Sequence, residues 1–145
     1  MAAHGGFQFF RFFGDERVSV EPMYCKPETT QRLVDHLMLF YTGIMRDSGS
    51  VLSQAKERMT TNAHTQAAVD ELVRIAEAQR RLVSENDISQ IGPALDAAWQ
   101  LKKQMSTKVS SGLLDSYYDR GREAGALGGK VAGAGGGGVI EHRRG

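Results

Sequence analysis

Ten of the 17 glycines in this 145-residue chain lie between positions 121 and 145, and five of them fall within the six positions 133–138. Glycine loses more backbone freedom on folding than any other residue, so a run this dense needs a reason. It is either a flexible linker or a path that Cβ atoms would block, such as an anion nest whose successive N–H groups turn inward around a phosphate. Lys130-Val131-Ala132 precedes the run and Val139-Ile140-Glu141-His142 follows it, both β-like. A linker does not ordinarily sit between two strands, so the flanks favour a specific loop. Two familiar phosphate loops are excluded. Gly133, Gly135 and Gly138 satisfy G-x-G-x-x-G, but a dinucleotide fold needs a helix next and an acidic residue about 20 positions on, and only seven residues follow Gly138. A Walker A loop needs Lys and then Ser or Thr, where this chain has Val139-Ile140.

The rest of the chain reads as strands, then helices, then a last pair of strands. The aromatic run at 7–13 and the alternating run at 17–21 predict a hairpin around Gly14-Asp15-Glu16, and Pro22 ends its second strand or confines it to an edge. Pro27-Glu28-Thr29-Thr30 opens a short helix. The apolar run at 37–42 predicts a strand buried on both faces. From Asp47 the period becomes helical, with Val51, Leu52, Ala55 and Met59 on one face. Val69, Leu72, Val73, Ala76 and Val83 repeat the pattern as far as Glu85-Asn86-Asp87. Gly92-Pro93 restarts the chain for a third stripe (Leu95, Ala98, Trp99, Met105), and Ser110-Ser111-Gly112 for a fourth (Leu113, Leu114, Tyr117, Tyr118). This order predicts an α+β fold, with an antiparallel sheet of about four strands from 7–13, 17–21, 37–42 and 131–140 and helices packed on one face.

Composition removes several functions. Eighteen Lys+Arg against 17 Asp+Glu leave a net charge of +1, unsuited to holding a phosphate backbone, so no nucleic-acid partner is expected. No stretch approaches the roughly 20 apolar residues of a membrane span, and the first ten residues lack the basic start of a signal peptide. Cys25 is the only cysteine, which excludes an internal disulfide and fits a reduced, cytoplasmic setting. His4, His36, His64 and His142 have no metal-ligand spacing and read as surface or hydrogen-bonded histidines, so no metal site is expected. Arg80-Arg81 and Lys102-Lys103 read as solvated helix faces, and Trp99, Tyr117 and Tyr118 as core. Arg46 stands at the exit of the predicted central strand, where either a site residue or a surface ion pair would fit.

Several segments together resemble one family. Gly5-Gly6-Phe7 leads into the hairpin, followed by Leu39-Phe40-Tyr41-Thr42-Gly43-Ile44-Met45-Arg46-Asp47-Ser48, by Trp99-Gln100-Leu101-Lys102-Lys103, and by Gly125-Ala126-Leu127-Gly128-Gly129-Lys130-Val131-Ala132-Gly133-Ala134-Gly135-Gly136-Gly137-Gly138. Taken in this order along nearly the whole chain, they are similar to the C-terminal half of a GHMP-family small-molecule kinase, in the branch of heptose 7-phosphate kinases and fucokinases. The last motif is the most specific. The resemblance implies a ferredoxin-like C-terminal domain over residues 1–145, ATP and Mg2+ as cofactors, and phosphorylation of a sugar or sugar-phosphate hydroxyl, the anomeric one. It places Gly133, Ala134, Gly135, Gly136, Gly137 and Gly138 at the nucleotide, and Thr42, Gly43 and Arg46 beside the acceptor sugar.

The departures carry equal weight. The family's main Gly-Leu-Gly-Ser-Ser phosphate loop is absent, and its catalytic Asp would lie upstream of residue 1. The terminal helix and strand of the fold are also missing after Arg144. Both ends are therefore expected to be cut, the isolated chain to be inactive, and the N-terminal kinase half to be its necessary partner. A non-enzymatic α+β module that binds a protein partner, and a stand-alone anion binder, are the alternatives.

Overall fold

The structure is a computed structural model that describes residues 5–45 and 47–144. Strands β1 (Gln8–Phe12) and β2 (Val18–Pro22) form the opening antiparallel hairpin, and β2 stops at its proline as expected. Helix α1 (Pro27–His36) starts on Pro27, whose missing N–H costs nothing at a first-turn position, and runs straight into β3 (Leu37–Tyr41). Four helices follow: α2 (Ser48–Thr61), α3 (Ala63–Ser84), α4 (Ile91–Met105) and α5 (Gly112–Glu123). Strands β4 (Gly128–Val131) and β5 (Val139–Arg143) then flank the glycine run.

Local chemistry sets the helix starts. The Asp47 carboxylate accepts the N–H groups of Gly49 and Ser50 at 2.9 and 3.2 Å, and Asn62 Oδ1 accepts those of His64 and Thr65 at 2.9 and 3.2 Å. Both side chains satisfy donors that a first helical turn leaves unpaired. Ser111 does the same for Leu114, the Oγ accepting at 3.4 Å.

The α+β class is as expected, but the strands divide between two sheets. One is the β1–β2 hairpin; the other has the order β3-β5-β4, antiparallel throughout. Two contacts hold the hairpin against α3: Arg11 Nη2 meets Glu77 Oε1 at 2.6 Å, and Arg80 pairs with Glu21 while its guanidinium lies 4.8 Å from the Phe9 ring centroid. Helix α3, not a neighbouring strand, is thus its dock.

The core lies where α2, α4 and α5 cover one face of the larger sheet. Val51, Trp99, Val109, Leu114, Tyr118, Val131 and Ile140 form a single buried cluster. The expectation for 37–42 is corrected here. β3 is an edge strand that pairs only with β5, and Leu39 and Tyr41 are 68% and 74% exposed. An apolar run specifies burial only when something is present to cover it, and no described element covers the outer half of β3.

Candidate functional site

The glycine run is the β4–β5 loop, and three separate elements grip it. At its start the ammonium of Lys102, on α4, donates to the carbonyl oxygen of Val131 at 3.3 Å and to that of Gly133. In the middle, the Gly136 N–H donates to the carbonyl of Val109, in the α4–α5 connection, at 2.6 Å. At its end the Gly138 N–H donates to the Ile44 carbonyl at 3.0 Å, while the Gly138 carbonyl accepts both the N–H and the hydroxyl of Thr42, each at 2.8 Å. Thr42 Oγ1 in turn accepts the Ile44 N–H at 3.2 Å. A flexible linker would make none of these bonds.

The same grip accounts for the glycines. Gly133, Gly135, Gly136 and Gly138 have φ of 68°, 96°, 78° and 89°, the left-handed region that side chains disfavour. A Cβ on Gly137 would lie 2.3 Å from the Ile44 carbonyl oxygen, and one on Gly135 would lie 2.9 Å from that of Val109. At these two positions protein backbone, rather than ligand, demands the bare Cα. Among the described residues, the N–H groups of Gly133, Ala134, Gly135 and Gly137 have no protein acceptor. Those four donors, with the Lys102 charge beside them, are a chemically suitable cradle for phosphate oxygens. A divalent cation fits less well: no group of three or more His, Cys, Asp or Glu side chains able to hold a metal occurs among the described residues.

The structure thus brings Gly133 through Gly138 together with Thr42 and Gly43. Gly43, at φ 69°, turns the chain out of β3 towards the loop. Arg46 lies outside the described residues.

Three residues carry more than their sequence context suggests. Lys102 is half-buried instead of solvated, and burial together with the nearby Lys130 charge lowers its pKa to about 8 against an opposing pull from Glu141. Its spacing from Trp99, three residues, is the overlooked sign, because that interval keeps both on neighbouring parts of one helix face. His142 is 1% exposed, its ring 5.4 Å from that of Tyr118, and its Nδ1 has no partner among the described residues. Burial, reinforced by Arg122, depresses its pKa and keeps the ring neutral. Tyr118 donates to Asp96, which also accepts from Gln100 at 3.0 Å. Burial pushes the Asp96 carboxyl up, but these two bonds together with the Arg122 and Lys103 charges outweigh it and hold the group below its ordinary range. By contrast Cys25, among the described residues, meets only the Thr30 hydroxyl, at 3.2 Å, and no activating base.

A second feature adjoins the loop. A cavity of about 380 Å³ opens between β3 and α5, walled by Phe40, Tyr41, Tyr117 and Ile140 with Arg120 at its side. Thr42 and His142 also line it, so Thr42 touches both loop and cavity.

Comparison with known proteins identifies relatives of this chain. The chain is 28% identical over 139 residues to the D-glycero-alpha-D-manno-heptose 7-phosphate kinase of Campylobacter jejuni, covering 96% of this chain and 41% of that protein. It is 24% identical over 123 residues to the bifunctional fucokinase/GDP-fucose pyrophosphorylase of Arabidopsis thaliana, covering 84% of this chain and 12% of that one. The chain therefore spans less than half the length of either relative. Among solved structures, L. major mevalonate kinase in complex with R-mevalonate superposes with a TM-score of 0.81 over 98% of this chain and 41% of its own, at 22% identity. That likeness concerns the fold alone. Residues 52–140, which include α3, α4, α5, β4 and the glycine loop, match the family described as GHMP kinases C terminal. The chain belongs to the C-terminal domain family of the GHMP kinases.

Proposed function

We propose that residues 1–145 are the C-terminal domain of an ATP-dependent sugar or sugar-phosphate kinase of the heptose 7-phosphate kinase and fucokinase type, acting on the anomeric hydroxyl. The observation that carries this reading is the anchored loop at 133–138, whose ends and middle are fixed while the N–H groups of Gly133, Ala134, Gly135 and Gly137 stay free. Phosphoryl transfer depends on positioning and charge neutralisation. This chain supplies a rigid set of donors and the Lys102 cation for a phosphate, and Thr42 and Gly43 flank the acceptor side. It supplies neither the main phosphate loop nor the catalytic Asp, so the reading requires an N-terminal kinase half, which would also bring the Mg2+ ligands. The longer relatives support that division, since each extends well beyond the matched region. No described helix is long and apolar enough to cross a membrane, and a cytoplasmic setting accords with a sugar kinase.

Amide NMR of the chain combined with a kinase N-terminal half and titrated with Mg·ATP tests the reading. Saturable shifts are expected at Gly133, Ala134, Gly135 and Gly137, larger than at Gly136 and Gly138, whose N–H groups already donate within the protein. A coupled assay with sugar 7-phosphates should show no ADP release by the chain alone. Loop amides that ignore Mg·ATP with the N-terminal half present would overturn the nucleotide role, and turnover by the isolated chain would overturn the need for a second half.

A second reading is favoured by the β3 face, where Leu39, Phe40 and Tyr41 are exposed beside the aromatic cavity. On it, the chain is a non-enzymatic module that binds a protein partner and its loop is purely structural. The same titration separates the two.

A further inference from the structure

The three grips on the glycine loop are chemically unequal. Val109 and Ile44 act through backbone carbonyls, which any residue at those positions would offer. Thr42 adds its hydroxyl to its own N–H, on the carbonyl of Gly138. Only the start of the loop is held purely by a side chain, that of Lys102, which spans the last residue of β4 and the first of the glycine run. Between these two carbonyls the Ala132 N–H still pairs with the Val139 carbonyl at 2.8 Å, so the hairpin ladder persists to that point and ends there. Beyond it Gly133 enters the left-handed region at φ 68°, with no atom within 4 Å of where a Cβ would be. Packing therefore does not define the turn at Gly133.

The position is also one where a lysine is disfavoured unless something holds it. Lys102 makes no ion pair among the described residues. The charged groups facing it are Lys130 on β4 and Glu141 on β5, and these lie 3.8 Å from each other. A half-buried ammonium beside a second ammonium, bonded to two carbonyls, loses part of its hydration and gains little from the nearby carboxylate.

We propose that Lys102 is a positioning residue: by bridging the Val131 and Gly133 carbonyls it sets the direction in which the loop leaves β4, and so the placement of the free Ala134 and Gly135 N–H groups. Its consequence for phosphate binding rests on the function proposed above; the clamp itself does not.

Hydrogen exchange of the full chain without nucleotide tests the clamp. In Lys102→Met, the bonded amides of Ala132, Gly136 and Gly138 should exchange about tenfold faster, the effect of losing charge-assisted bonds from a locally opening segment, with α3 and α4 unchanged. In the wild type, loop protection corrected for intrinsic exchange should fall as pH rises through about 8, where the Lys102 charge is lost. Lys102→Arg, which stays charged, should restore protection and keep it level to pH 9. Loop exchange in Lys102→Met equal to the wild type, or a rise spread equally over α3 and α4, overturns the proposal. A confirmed clamp in a chain whose loop ignores Mg·ATP even with the N-terminal half present would retain Lys102 as the loop's anchor and remove the kinase reading instead.

Discussion

Replacing Gly137 by alanine asks whether the glycine loop is a shaped turn. The φ of Gly137 lies outside the left-handed region, so the penalty is steric. The new Cβ would stand 2.3 Å from the Ile44 carbonyl oxygen and 3.0 Å from its carbon. That carbonyl accepts the Gly138 N–H at 3.0 Å, and Thr42 ties down the Gly138 carbonyl at 2.8 Å, so the two segments cannot part to admit a methyl without breaking bonds. One lost hydrogen bond costs about 1 kcal/mol and overpacking about 1–3 kcal/mol, which together give about 2–4 kcal/mol. At Gly133 a Cβ meets nothing within 4 Å, and alanine incurs only the left-handed strain of about 1–2 kcal/mol. Urea titration followed by circular dichroism should rank Gly137→Ala below Gly133→Ala in stability. A loss near 3 kcal/mol lowers the Tm of a chain this size by about 6–12 °C. A flexible linker predicts the opposite sign, because alanine for glycine then stabilises by about 0.4–1 kcal/mol through the unfolded chain. A neutral or stabilised Gly137→Ala refutes the shaped turn.

Four further outcomes are expected. Gly121→Ala sets a Cβ 2.3 Å from the buried His142 ring, and thermal melting should show a loss of about 1–3 kcal/mol. His142 has a depressed folded pKa, so its stabilising share is present above the unfolded value near 6.5 and lost as pH falls through the lower folded value. Urea melts at pH 7, 6 and 5 should therefore show the wild type losing stability relative to His142→Phe, at up to about 1.4 kcal/mol per pH unit, and parallel profiles would show the ring to be charged in the folded state. Leu114→Ala, at 0% exposure, should cost about 2–5 kcal/mol in the same assay, whereas the half-exposed Leu113→Ala should cost under about 0.5 kcal/mol. Asn62→Ala removes the cap of α3 and should cost about 1 kcal/mol.

Much of the fold was legible residue by residue. Pro27, Asp47, Gly92-Pro93 and Ser110-Ser111-Gly112 mark helix starts because capping and proline geometry are local, and the apolar stripes between them follow one helical period. The hairpin turn at 14–16 and the strand end at Pro22 were readable for the same reason. The break between α2 and α3 was less plain, since Asn62 closes one helix and caps the next with no proline or glycine to announce it. Of the site, the glycine loop and Thr42-Gly43 were visible as separate motifs. Lys102 was not, because a lysine after Trp99 looks like any solvated helix position until a carbonyl is found opposite it.

Local sequence determined the helices, the hairpin and the existence of a glycine turn, because each depends on interactions within a few residues. Tertiary structure alone decided that the strands would form two sheets, that β3 would be left at an edge, and that Ile44, Val109 and Lys102 would converge on a loop 27 to 94 residues further along the chain. These outcomes depend on which surfaces meet across long separations, where the energy lies in packing and paired backbone groups rather than in the preference of any one residue.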